Sequence, residues 1–138
     1  MNRIRPNALG VIKRNNHLLA EKVEDKTKGE IFYRLMGGGI EFGELSLEAL
    51  KREFKEELNA TIINEKVLCT LENIFEFNSK KGHEITFLIE ADLLEESLYE
   101  EKRIKILDKA DCCAEWVPIN EIKNGNIRVY PKEAVKYL

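Results

Sequence analysis

An α/β domain is the fold class that the sequence predicts, and three observations predict it. Apolar segments of strand length recur along the chain, separated by polar or charged turns. A glycine triplet, Gly37 to Gly39, comes shortly before one amphipathic helical pattern that ends at Leu58. The chain is 138 residues long with no internal repeat, low-complexity stretch or linker, so residues 1–138 are expected to form one domain.

The elements follow in order. Arg5 to Lys13 reads as a strand around Ala8, Val11 and Ile12, and Asn15-Asn16 as a tight turn, because Asn tolerates positive φ. His17 to Val23 returns as a second strand, Glu24 to Glu30 is a polar loop, and Ile31 to Leu35 is a strand feeding the glycines. Ser46 is expected to N-cap the helix that runs to Leu58. Lys66 to Phe77 reads as a long, bulged strand and Asn78 to Gly82 as a turn. Glu84 to Leu93 is a further strand, with Ile85, Phe87, Ile89 and Ala91 on one face. Glu95 to Asp111 is charged and fits no element, and Cys112 to Ile119 reads as the last strand. Asn120 is expected to cap a short helix at Glu121 to Lys123, and Pro131 to open a terminal helix at its first position.

Composition narrows the function. The chain is 43% hydrophobic, which is ordinary for a globular protein, and 34% charged, which gives a well-solvated surface. A net charge of −3 argues against a general nucleic-acid-binding surface. No apolar run approaches membrane-span length, and the N-terminus lacks the apolar core of a secretory signal. Cys69, Cys112 and Cys113 are odd in number and show no C-x-x-C spacing, so they read as free thiols in a reducing cytoplasm.

The chemistry concentrates in residues 37–60, GGGIEFGELSLEALKREFKEELNA. At about 100° per residue, Glu53, Glu56 and Glu57 share one helical face. Leu47, Leu50, Phe54 and Leu58 fill the neighbouring stripe, and Glu48, Lys51 and Lys55 the far side. Glu53 and Glu57 repel at i,i+4, and the helix's bases mostly point elsewhere. Carboxylate clusters of this kind suit a hard divalent cation. On the acids alone, a cation site and a solvated face both stand.

The spacing adds to this. Five residues separate Gly38 from Glu44 and seven separate Glu44 from Arg52, after which come Glu53, Phe54, Lys55, Glu56 and Glu57. This resembles the signature of the Nudix hydrolases, G-x5-E-x7-R-E-U-x-E-E-x-G-U with U aliphatic. Phe54 stands at an aliphatic position, Asn59 at the second glycine, and Ala60 at the final aliphatic position. Met36 stands where many members have proline. The Asn59 departure is mild, because Asn is the next best residue where a helix end needs positive φ. Only residues 37–60 carry the resemblance specifically, although Glu115 to Ile122, EWVPINEI, also looks like a frequent family ending.

The resemblance implies a Nudix fold, a mixed β-sheet sandwiched between α-helices. It implies Mg²⁺- or Mn²⁺-dependent hydrolysis of a nucleoside diphosphate linked to another group, X, by attack of water on phosphorus. Carried over by position, Glu53, Glu56, Glu57 and the Gly38 carbonyl hold the metal. Glu53, Arg52 and Glu56 are the catalytic set, with Arg52 orienting a box glutamate and Glu44 bracing the loop. A Nudix-fold nucleotide sensor without turnover is the alternative, disfavoured because every box acid is present. A homodimer is left open, dimers being common in the family.

Outside the box, Arg34 is a candidate phosphate ligand and otherwise an exposed strand residue. Lys22 reads as solvated. Tyr33, Phe75, Phe77 and Phe87 read as core, with base stacking as the other option. The Glu95–Asp111 segment reads as a solvated loop, or as the source of a catalytic base, Glu100 or Glu101, that closes over substrate.

Overall fold

The computed structural model describes residues 2–138. Nine strands and two helices build it, in the order β1 (Arg5–Arg14), β2 (His17–Asp25), β3 (Glu30–Leu35), β4 (Gly37–Gly39), α1 (Ser46–Leu58), β5 (Ile62–Phe77), β6 (Lys80–Leu93), β7 (Arg103–Lys105), β8 (Cys113–Pro118), α2 (Ile119–Lys123) and β9 (Val129–Tyr130). Short 3₁₀ turns lie at Glu96–Tyr99 and Lys132–Tyr137.

The sheet is mixed, and β1 is its hub. Arg5 to Ile12 runs parallel to Glu84–Ala91 of β6, and Asn7 to Leu9 pairs antiparallel with β4. The end of β1 turns through Asn15 and Asn16, both at positive φ, into β2. β2 pairs antiparallel with both β3 and β8.

Strand β1 reads as an apolar run, not an alternation, because both its faces are covered. Ala8 and Ile12 join the core under α1, where Leu50, Phe54 and Leu58 are buried. Leu9 and Val11 join the opposite core, closed by Ile119 and Ile122 of α2 and by Ala134. Phe54 lies over Gly10, where an added Cβ would come 3.0 Å from its ring. Burying Phe54 fully contributes about 1.5–3 kcal/mol. That contact fixes the side of the sheet on which α1 lies. The sheet between helices is thus as expected, although one face carries a 13-residue helix and the other only the 5-residue α2 and a 3₁₀ turn. Among the described residues, no helix is long and apolar enough to cross a membrane.

Several boundaries differ from the sequence reading. Leu45, not Ser46, occupies the N-cap position of α1, and the Glu48 carboxylate, from inside the helix, accepts the Leu45 N–H at 2.8 Å. Asn59 ends the helix at φ 51° as expected, its N–H bonding the Lys55 carbonyl. β5 starts at Ile62 and absorbs two register shifts, and its turn into β6 is only Asn78-Ser79. β8 is not the last strand, because Tyr33 and Arg34 of β3 pair parallel with β9. Pro118 precedes α2, so Asn120 lies inside it, and Pro131 precedes the terminal 3₁₀ turn. All three cysteines are free and half-buried.

Candidate active site

The glycine turn and α1 meet at Gly38 and Glu53. A Cβ on Gly38 would come 2.5 Å from the Glu53 Cδ, so a side chain there would push that carboxylate off its Arg52 partner. Gly37 is at φ 144°, where side chains are strained, and this sets the turn into β4.

Arg52 organises the acids. Its Nε donates to Glu44 Oε2 at 2.6 Å, and its Nη2 to Glu44 Oε1 at 3.0 Å and to the Gly39 carbonyl at 2.9 Å. Its Nη1 donates to Glu53 Oε1 at 3.0 Å and to Glu56 Oε2 at 3.4 Å. One planar fork therefore ties the glycine strand, the loop and the helix together. Glu44 also accepts the Glu41 N–H at 3.0 Å. Its carboxyl is held down at about 2, first by the Arg52 bonds and then by that N–H. The same Glu44 bonds hold Arg52 firmly charged. Glu44 thus braces the loop against α1.

Glu57 behaves differently. It is 4% exposed, and its Oε1 is buried without a hydrogen-bond partner. Burial, and then the Glu53 charge, push its carboxyl up to about 8. Between its ordinary 4.5 and about 8, unfolded Glu57 is ionised while folded Glu57 keeps its proton. Stability must therefore fall as pH rises through that window and be insensitive to Glu57 outside it. The melting temperature in chelator is expected to decline from about pH 5 to 8, and that component should vanish in Glu57→Gln. Equal slopes in the two proteins would refute the assignment.

The box acids do not share one environment. Glu53 is nearly buried on the Gly38 turn, and Glu56 is half exposed. Two residues outside the box lie beside Glu57. Glu21 of β2 is 7% exposed, and Lys109 Nζ reaches its carboxylate at 3.2 and 3.3 Å. Both, with Asp108, act on the Glu57 charge. The sequence signal for Glu21 was an acid on the same strand face as Leu19, which packs under α1. Lys109 carried no signal in a charged segment.

An all-oxygen donor set with an orphaned buried carboxylate oxygen fits a hard divalent cation. Glu53, Glu56, Glu57 and the Gly38 carbonyl are the residues that can hold it. Among the described residues, no three acidic, His or Cys side chains are gathered around one point.

Of the other candidates, Arg34 adjoins this cluster through Glu21, and the rest lie apart from it. Arg34 faces Glu21 across the β2–β3 pair and Tyr130 across the β3–β9 pair. It adjoins an edge-to-face cluster of Phe32, Phe75, Phe77 and Tyr130, whereas Phe87 packs against the core under α1. Glu100 and Glu101 line a hollow of about 350 Å³ with Arg14, His17 and Trp116, not with a box acid. Glu95 is held by Thr61, and Glu96 by Arg14. Glu95 and Glu96 are thus engaged elsewhere, Glu100 and Glu101 lie at that hollow, and Asp108 and Lys109 lie on the Glu57 side of the segment.

Comparison with known proteins agrees with this fold. The model of the NUDIX domain family matches residues 3–138. No curated protein sequence matches significantly. A NUDIX hydrolase from Nitrosomonas europaea superposes with a TM-score of 0.66 at 17% identity, covering 97% of this chain and 85% of that one. A MutT protein from Bacillus halodurans gives 0.66 at 18%, covering 96% and 80%. A MutT NUDIX hydrolase from Burkholderia pseudomallei gives 0.65 at 20%, covering 86% of each chain. At these identities the structures attest the fold, and the family match covers nearly the whole chain. With the box acids, their arginine and the glycine turn assembled on that fold, the chain belongs to the Nudix family and is a Nudix hydrolase.

Proposed function

We propose that this Nudix hydrolase cleaves the diphosphate linkage of a nucleoside diphosphate joined to a second group, using Mg²⁺ or Mn²⁺ held by Glu53, Glu56, Glu57 and the Gly38 carbonyl. The observation that carries this is the buried, unpartnered Glu57 oxygen beside an Arg52-anchored Glu53. A divalent cation, when bound there, neutralises diphosphate charge and acidifies a bound water.

The chain's own groups do the rest. Arg52 holds Glu53 in one orientation and keeps Glu44 ionised, so the Gly38 turn stays against α1. Glu53 and Glu56 are the acids available to take the proton of the attacking water. Glu56 is the less committed, half exposed and bonded only at 3.4 Å. Arg34 is a phosphate-side contact, supported by its place across the strand pair from Glu21. We place the enzyme in the cytoplasm, on its free thiols, as one domain acting as a monomer or homodimer.

The test is a panel of nucleoside diphosphate derivatives incubated with Mg²⁺, Mn²⁺ or chelator, with products identified by mass. The expected products are two phosphate-bearing fragments, formed only with metal. Full turnover in verified metal-free buffer would refute metal dependence. Tight binding of a nucleotide with no turnover under any metal would favour the sensor reading.

A further inference from the structure

Next to the box acids stands an ion pair that the box motif does not contain. Glu21 is nearly buried on β2, and Lys109 is the partner of its carboxylate. The loop that carries Lys109 is fastened to α1. The Leu107 N–H donates to the Glu57 carbonyl at 2.8 Å, and the Ile106 N–H to the Cys112 carbonyl at 3.0 Å. Lys109 is therefore delivered to one place by the backbone of the very residue whose carboxylate is orphaned.

Lys109 Nζ lies 3.2 Å from the nearer Glu21 carboxylate oxygen, and Arg34 of β3 stands across the strand pair from the same acid. Arg52 is spent on Glu44, the Gly39 carbonyl and Glu53. A dication entering between the free Glu57 oxygen and Glu21 would meet the Lys109 ammonium, held 3.2 Å from the Glu21 carboxylate, as a like charge.

We infer that Lys109 is the built-in counter-ion of the metal-free centre, that Glu21 is a further acid of that centre, and that a divalent cation displaces Lys109 from Glu21. This rests on the metal-dependent reading above. It makes metal binding an exchange of cations, so the native metal-free protein is not left with a bare anionic pocket. It also gives Lys109 a positioning role, acting through Glu21 and Glu57. The competing account is a solvent-exposed ion pair without consequence, since the Lys109 side chain is 42% exposed.

Mn²⁺ titration of the full chain, followed by electron paramagnetic resonance of free Mn²⁺ without substrate, separates the two. Lys109→Met should bind Mn²⁺ about tenfold more tightly than wild type, because the competing cation is gone. Its metal-free form should melt below wild type, and its Mn²⁺-induced rise in melting temperature should be larger. Lys109→Arg should behave as wild type, and Glu21→Gln should bind Mn²⁺ several-fold more weakly, on the order of 3- to 10-fold. Lys109→Met binding within about twofold of wild type, or more weakly, would overturn the inference. Wild-type binding in that case would leave the metal-dependent reading standing. No Mn²⁺ binding by any of the proteins would instead sink that reading.

Discussion

Glu53→Gln should lower turnover by on the order of 10² or more while leaving the fold intact. The substitution keeps the shape and a carbonyl oxygen, so the Arg52 Nη1 bond at 3.0 Å can persist. What is lost is one negative charge where the glycine turn meets α1. No core contact depends on that charge, because the buried face of the helix is Leu50, Phe54 and Leu58. Circular dichroism and thermal melting check the fold, and initial rates with Mg²⁺ check the chemistry. Glu57→Gln should show a similar loss of rate with a higher melting temperature at neutral pH, since it removes an acid that folding keeps protonated at a cost. Well-folded variants with near-normal rates would remove both residues from the centre.

Arg52→Met should damage both function and stability. Four side-chain or main-chain partners lose one planar donor: Glu44, Glu53, Glu56 and the Gly39 carbonyl. The long apolar stem is retained, so the change isolates the guanidinium. Glu53 is then free to rotate away from Gly38, and losing a residue that orients metal ligands typically costs roughly ten- to a hundredfold in affinity or activity. Glu44 is left without its counter-ion, so the melting temperature should fall in low salt. Arg52→Lys keeps the charge but cannot fork to three elements, and it should recover little of the rate. Full rescue by Lys would mean that charge alone, not the fork geometry, organises the acids.

The box was legible because its chemistry is local. Spacing along one helix puts Glu53, Glu56 and Glu57 near one another whatever the rest of the chain does. Asn59 was legible for the same reason, since a helix end needs positive φ at that point. Strands β1 to β3 were legible to within a few residues from apolar patterning and the Asn-Asn turn.

What was missed is non-local. β9 has two residues, and only its pairing with β3 makes it a strand. β7 is Arg-Ile-Lys on a sheet edge, a pattern that reads as solvated loop until β8 is seen beside it. Glu21 looks like an ordinary charged strand residue, and its burial follows from the 106–112 loop folding over it. The same charged segment was read for its acids, Glu100 and Glu101. The 3₁₀ turn and β7 carry those to the Arg14 end of the sheet and bring Lys109 to the box. Leu45 takes the cap position expected of Ser46, and Glu48, inside the helix, accepts its N–H.

The central claim is that the box acids are a metal centre, and anomalous scattering from a crystal soaked in Mn²⁺ tests it most directly. The account predicts an ion coordinated by carboxylate oxygens of Glu53 and Glu57 and by the Gly38 carbonyl, at about 2.0–2.3 Å as for other hard dications. Mn²⁺ bound elsewhere, with Glu57 still buried and unliganded, would contradict it.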